Sequence, residues 1–137
     1  MPREQTLLLI KPEIVAAPEQ KIGAILELVE RSGFRILGLR LRALDRETAE
    51  EFYAPHRGLD FFAGLIEYIT SGPVVVARLE GEEAVRRLRE LIGVTDPAAA
   101  APGTLRRRFG TTMRRNAVHG SDSPESARRE IAIFFGA

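Results

Sequence analysis

An α+β fold around one four-stranded antiparallel sheet is predicted by three observations. The 137 residues have the length and balance of one globular domain, with 45% apolar and 28% charged residues and a mean hydropathy of −0.09. Apolar or alternating runs that read as strands are separated by stretches whose apolar residues recur at helical spacing. No internal repeat, linker or composition break divides the chain, so residues 1–137 are expected to form a single domain.

The run Thr6–Ile10 is short and apolar, as a buried strand should be. Ile22, Ile25, Leu26 and Val29 follow helical spacing, with Gly33 as a stop. From Phe34 to Leu44 the chain is extended, its Leu-Gly-Leu-Arg-Leu-Arg stretch alternating like a half-exposed strand. Asp45 is a candidate N-cap for a helix over 46–52, and Asp60 for another through Ile69. After the turn Ser71-Gly72-Pro73, the β-branched run Val74–Leu79 is a third strand. Ala84, Val85, Leu88, Leu91 and Ile92 then line one side of a helix that ends at Gly93. More than 20 residues without clear periodicity follow, to about Val118, and loops of that length are usually functional or disordered. Ser123-Pro124 opens a short helix through about Arg129, and Ile131–Phe135 reads as a closing strand. With the extra helices set aside, the order is the ferredoxin-like β-α-β-β-α-β pattern: a sheet covered by helices, with a long loop before the final helix and strand.

Several function classes are excluded or disfavoured at this level. No apolar run approaches the length needed to cross a bilayer. The first residues lack the length of a secretory signal, so a cytoplasmic location is expected. There is no cysteine, hence no disulfide and no thiolate chemistry. No Asp, Glu or His cluster has metal-ligand spacing.

The net charge of +1 hides an uneven distribution. Between Pro97 and Ser121 there are five arginines (106, 107, 108, 114 and 115), one histidine and no acid; the remainder carries 15 basic and 19 acidic residues. An arginine-rich segment on an acidic body points to an anionic ligand, because the guanidinium fork is planar and always charged. Charge alone leaves a solvated arginine loop open as the other reading. Only two histidines exist, His56 and His119. His119 lies in Asn116-Ala-Val-His119-Gly-Ser121-Asp-Ser123, where small neighbours leave room for a bulky group to reach the ring, and neutral imidazole is a competent nucleophile. Lys11, ending an apolar strand before Pro12, is a poor core residue and invites an anion partner.

The ordered segments resemble the nucleoside diphosphate kinase family over nearly the whole chain. They are Thr6-Leu-Leu-Leu-Ile-Lys11-Pro12, Phe52-Tyr53, Asp60-Phe61-Phe62-Ala-Gly-Leu65, Ser71-Gly72-Pro73 and Arg89-Glu-Leu-Ile-Gly93-Val-Thr95-Asp-Pro97. Pro102-Gly103-Thr104-Leu-Arg106, the His119 block and Glu130-Ile-Ala-Ile-Phe-Phe135 follow in the same order. The resemblance implies ping-pong transfer of the γ-phosphoryl group of a nucleoside triphosphate such as ATP to a nucleoside diphosphate. His119 would be the phosphorylated nucleophile, attacking with Nδ1. Arg89, Thr95 and Arg106 would hold phosphates from the long phosphate-binding loop and its surroundings, with Lys11 and Tyr53 near the transferred group. Lys11 and Asn116 would bond the ribose, Phe61 would stack on the base and Met113 would touch its other face. Glu130 and Ser121 would orient the imidazole. Of Phe61 and Phe62, one is expected to point inward.

Mg2+ is the implied cofactor, held mainly by the nucleotide phosphates. A homo-oligomer, tetramer or hexamer, is also implied; neither a membrane nor a nucleic-acid partner is expected. The chain departs from the family pattern at Arg107-Arg108, where Gly-Asp is usual, at Pro55, where many relatives carry a carboxylate, at Asp60 in place of proline, and in a connection after Lys11 about two residues longer. Two rival readings are a basic-loop module that grips nucleic acid and a catalytically silent family member. The intact set of His119, Arg89, Arg106, Lys11 and Asn116 speaks against the second.

Overall fold

The computed structural model describes residues 3–136. Strands β1 (Arg3–Ile10), β2 (Arg35–Arg42), β3 (Val74–Glu82) and β4 (Val118–Gly120) form an antiparallel sheet in the order β2-β3-β1-β4, the expected ferredoxin-like arrangement. Leu7 to Ile10 are fully buried because β1 is central and covered on both faces. Alternation sends Leu8 and Ile10 into one core with α2 (Ile22–Arg31) and α5 (Ala84–Ile92). It sends Leu7 and Leu9 into another with α3 (Arg46–Phe52), α4 (Phe62–Ile69) and α7 (Pro124–Phe135). The short helices α1 (Pro12–Val15) and α6 (Leu105–Phe109) complete the chain.

The C-terminal quarter departs from expectation in order, not in class. Ile131–Phe135 is not a strand; it is the second half of α7. Ala127, Glu130, Ile131 and Phe134 are the buried positions, a helical stripe that runs without interruption from the Ser123 cap. The fourth strand is Val118–Gly120, at the end of the segment expected to be loop, and it pairs Leu9 with His119 and Leu8 with Gly120. Three residues are too few to show a period of two. Gly120 suits this close packing: a Cβ there would lie 2.6 Å from Cδ1 of Ile92 and 3.3 Å from Cδ2 of Leu88, so the side chains of α5 would have to shift to make room for it.

Local capping is mostly as expected. Asp45 Oδ1 accepts from the Thr48 N–H at 2.8 Å, and Ser123 Oγ accepts from the Ser126 N–H at 3.0 Å. Asp60 does not cap α4, which begins at Phe62 with Phe61 in the cap position. Phe62 packs against the second core, while Phe61 remains 45% exposed.

Candidate active site

At the meeting of β1, β4, α4 and the long loop, a cleft of about 500 Å³ is lined by Lys11, Tyr53, His56, Phe61, Leu65, Thr95, Arg106, Met113, Arg114, Asn116 and His119. Eight of the positions expected from sequence line it, gathered from both ends of the chain.

β4 carries His119 on the face opposite Gly120, so its ring packs edge-on to Phe52, with centroids 4.9 Å apart. Its Nε2 lies 2.9 Å from Glu130 Oε1. Against a carboxylate acceptor that nitrogen carries the proton, which leaves Nδ1 with its lone pair. The same Oε1 accepts from the Ser121 hydroxyl at 2.8 Å, and Ser121 in turn accepts from the Leu7 N–H. Glu130 is 4% exposed, and its other oxygen is 3.6 Å from Arg129 Nη2. α7 supplies this carboxylate because Glu130 falls on its buried stripe.

Lys11 leaves β1 at the point where the long loop returns, its N–H donating to the Ala117 carbonyl at 2.9 Å. Its Nζ donates to Asn116 Oδ1 at 2.6 Å and to the Arg114 carbonyl at 3.3 Å. Burial, and secondarily the Arg106 charge, lower the ammonium from its ordinary 10.5 to about 8, with Glu13 opposing. Both N–H bonds of the Asn116 amide go to carbonyls, of Thr95 at 3.0 Å and Met113 at 2.9 Å, so Asn116 ties three parts of the cleft wall together.

Arg106 is buried, with Nη1 and Nη2 each 3.1 Å from the carbonyls of Gly93 and Val118. Its Nε is buried and has no partner among the described residues. Burial, then the Arg89 charge, lowers its guanidinium to about 10. Tyr53 is buried too, which raises its phenol and keeps it a neutral donor. Arg89 does not line the cleft. Its guanidinium donates to the Gly120 carbonyl at 3.2 Å, behind the strand that carries His119. Ser121 and Glu130 also stand off the cleft, Ser121 bonded to Glu130 and Glu130 to His119, which lines it.

Residues the sequence did not mark also shape the site. Glu13 Oε2 accepts from the Ala117 N–H at 3.0 Å, and its Oε1 accepts from the Tyr68 hydroxyl. The bond from the Ala117 N–H pins a γ-turn: Val118 N–H donates to the Asn116 carbonyl at 2.9 Å around Ala117, whose φ is +76°. A non-glycine residue there is strained, and the Glu13 and Lys11 contacts hold it two residues from His119. His56 stands between Tyr53 and Phe61, with centroids 6.1 and 5.6 Å away, and Arg114 and Leu65 fill the wall beside Phe61. Nothing in sequence spacing marks Glu13; Arg114 is visible only as charge.

The five arginines do not form one exposed stripe. Arg107 is spent on the Ala98 and Ala100 carbonyls, Arg108 lies over Phe109 and Arg115 over Tyr68. Among the described residues no three Asp, Glu or His gather as a cation site; Glu130 at the histidine and Glu13 at the Ala117 turn are both committed to hydrogen bonds. No helix among the described residues is long and apolar enough to cross a membrane.

Comparisons with known proteins agree with this geometry. A nucleoside diphosphate kinase of Aquifex aeolicus superposes with a TM-score of 0.94 at 44% identity, over 98% of this chain and 96% of that one. The CDP complex of a halophilic nucleoside diphosphate kinase from Halobacterium salinarum gives 0.92 at 40% identity, over 99% and 90%. The nucleoside diphosphate kinase of Encephalitozoon cuniculi gives 0.93 at 33% identity, over 98% and 90%. The sequence model of nucleoside diphosphate kinase matches residues 4–137, and the chain belongs to that family.

Proposed function

We propose that this nucleoside diphosphate kinase works by ping-pong transfer through a phosphohistidine on His119. The observation that carries the reading is the His119 Nε2 to Glu130 Oε1 contact of 2.9 Å, which leaves the Nδ1 lone pair for attack. In the first half-reaction that lone pair forms the N–P bond as the bond from the γ-phosphorus to the β–γ bridging oxygen breaks. The nucleoside diphosphate leaves with the electron pair, and Glu130 offsets the positive charge growing on the ring. In the second, a β-phosphate oxygen of another nucleoside diphosphate takes the phosphoryl group, and the N–P electrons return to Nδ1. Transfer of this kind needs in-line positioning and cationic stabilisation more than covalent chemistry from the protein.

Lys11, Arg106 and the Tyr53 hydroxyl supply donors around the transferred group, and Thr95 extends the phosphate wall; Arg89 would join only by swinging from Gly120. The ribose meets Lys11 and the remaining Asn116 lone pair, and the base lies between Phe61 and Met113, which is 62% exposed. An aromatic face stacks on any base. The donor set of this chain fits magnesium brought as part of the nucleotide complex rather than held in a protein cage, since the nearby carboxylates are already engaged. The cytoplasm, where such nucleotides are made and used, is the proposed location.

The same proposal extends to assembly. β2 is an edge strand whose Leu39 and Leu41 are 50% and 66% exposed, an apolar strand edge of the kind a second copy covers. Leu39→Asp should lower the molecular mass measured by light scattering.

Incubation with γ-labelled ATP and magnesium tests the mechanism. Acid-labile label should appear on His119 and pass to a different nucleoside diphosphate. Label absent from a protein that still transfers would overturn the phosphohistidine.

A further inference from the structure

We infer that Glu13 and Tyr68 are positioning residues for phosphoryl transfer: they lock the turn at Ala117 and so fix where His119 presents Nδ1. The inference rests on the phosphohistidine reading above. Ala117 has the positive φ of a γ-turn, a conformation that is strained for a residue with a Cβ. Gln20 and Glu83 also have positive φ but lie where solvent reaches them, whereas Ala117 is fully buried. Such a turn persists only where its surroundings over-determine it, and here the segment after β1 does so from both sides. The Ala117 carbonyl accepts from the Lys11 N–H at 2.9 Å, and the Ala117 N–H donates to Glu13 Oε2 at 3.0 Å. Glu13 is itself held, because its Oε1 accepts from the hydroxyl of Tyr68 at the end of α4. Burial, then the Glu13 carboxylate, raise the Tyr68 phenol, so it stays protonated and donating.

β4 has only three residues, so the turn at its start carries much of its placement. His119 Nε2 is anchored on Glu130. With that end of the ring fixed, the direction of Nδ1 follows from the position of the His119 backbone, which the turn sets. In-line transfer is sensitive to such shifts, since a misplacement of about 1 Å costs on the order of 100-fold in rate. Nucleotide binding depends less on the turn, because the Asn116 side chain is bonded separately to Lys11, Thr95 and Met113.

The test measures the single-turnover rate of phosphoenzyme formation from ATP with magnesium, together with ADP affinity by calorimetry and thermal melting. Glu13→Ala should lower the rate about tenfold while the Kd for ADP changes less than about twofold. Glu13→Gln keeps an acceptor for the Ala117 N–H without the charge and should retain most of the wild-type rate. Tyr68→Phe deletes one hydroxyl, leaves the ring in place and should slow the step in the same direction as Glu13→Ala. Ala117→Gly removes the strain, so the Glu13→Ala, Ala117→Gly double variant should recover most of the rate lost in Glu13→Ala. If Glu13→Ala does not fold, Tyr68→Phe with and without Ala117→Gly makes the same comparison. A Glu13 that acts by its charge on Lys11, whose ammonium it raises, gives the opposite pattern: a slow glutamine variant and no recovery with glycine. That pattern would overturn the inference, as would an unchanged rate in folded Glu13→Ala, which would mark a structural contact only. A wild type that transfers phosphate with no phosphoenzyme would overturn the phosphohistidine reading, and the inference with it.

Discussion

Lys11 Nζ and Asn116 Oδ1 are 2.6 Å apart, a buried bond that joins the end of the first strand to a residue 105 positions later. It closes the floor of the cleft and holds a cation where burial works against it. The two residues therefore couple the shape of the loop to the protonation of the lysine.

That coupling has a measurable pH signature. Lys11 is lowered to about 8 in the folded chain, mainly by burial, so the folded state holds this proton less tightly than the unfolded chain. The sign follows: this group's contribution to stability rises with pH between about 8 and 10.5. Affinity for an anionic nucleotide runs the other way, falling as the ammonium loses its charge above about pH 8. Nucleotide binding at pH 8.5 should then take up protons, which calorimetry in buffers of different ionisation enthalpy would detect. Proton-neutral binding across pH 8–9 would remove Lys11 from the phosphate contacts.

His119→Ala should abolish both the phosphoenzyme and transfer. The ring is at the edge of the second core, against Phe52, and Ser121 still satisfies Glu130 after its removal. The fold should survive with a loss of about 1–2 kcal/mol, read by circular dichroism and thermal melting. Transfer near the wild-type rate would sink the mechanism.

The arginines of α6 separate by what they touch. Arg106 is buried in the cleft wall with an unpartnered Nε, and Arg106→Ala should lower kcat about 100-fold, as loss of a preorganised donor does. Because two carbonyl bonds go as well, Arg106→Lys serves as a check that the fold persists. Arg107→Gly removes the bonds to Ala98 and Ala100 and should cost about 1 kcal/mol of stability with little loss of turnover. Arg108→Asp gives up only its stacking on Phe109 and should be tolerated. If the Arg107→Gly, Arg108→Asp double variant were as inactive as Arg106→Ala, the assignment of roles along α6 would be reversed.

What was legible in the sequence depended on local pattern, and what was hidden depended on distant partners. The central strands, the amphipathic α5 and the Ser123 cap each show within ten residues. β4 does not, because its three residues become a strand only by pairing with Leu8–Ile10, more than a hundred residues earlier. The same blindness split α7, whose last turns are apolar enough to pass for a strand until Glu130 is placed on its buried stripe. Most of the cleft followed from the family's ordered motifs. Glu13 was not legible, since its value lies in holding the strained Ala117 turn, and Arg114 was visible only as charge.

Glu130 offers the most direct separation of chemistry from structure. Its Oε1 meets both His119 Nε2 and the Ser121 hydroxyl, so its orientation is fixed by two donors rather than by the weaker approach of Arg129 at 3.6 Å. A carboxylate in that position selects the tautomer that frees Nδ1 and supports the charge that grows as the N–P bond forms. Glu130→Gln keeps the volume and one acceptor oxygen but removes the charge, and its amide can turn a donor toward the histidine and favour the wrong tautomer. Turnover should fall roughly 10- to 100-fold. Melting should change little, because the amide fills the same space and keeps hydrogen-bond partners in Ser121 and His119, while the Arg129 approach it gives up is long at 3.6 Å. Binding of a nucleoside diphosphate, which does not require the nucleophile, should be preserved in calorimetry. The phosphoenzyme should form slowly in single-turnover experiments, with its rate rather than its final yield reduced. Unchanged single-turnover kinetics would show that the carboxylate serves only to fasten α7 to β4.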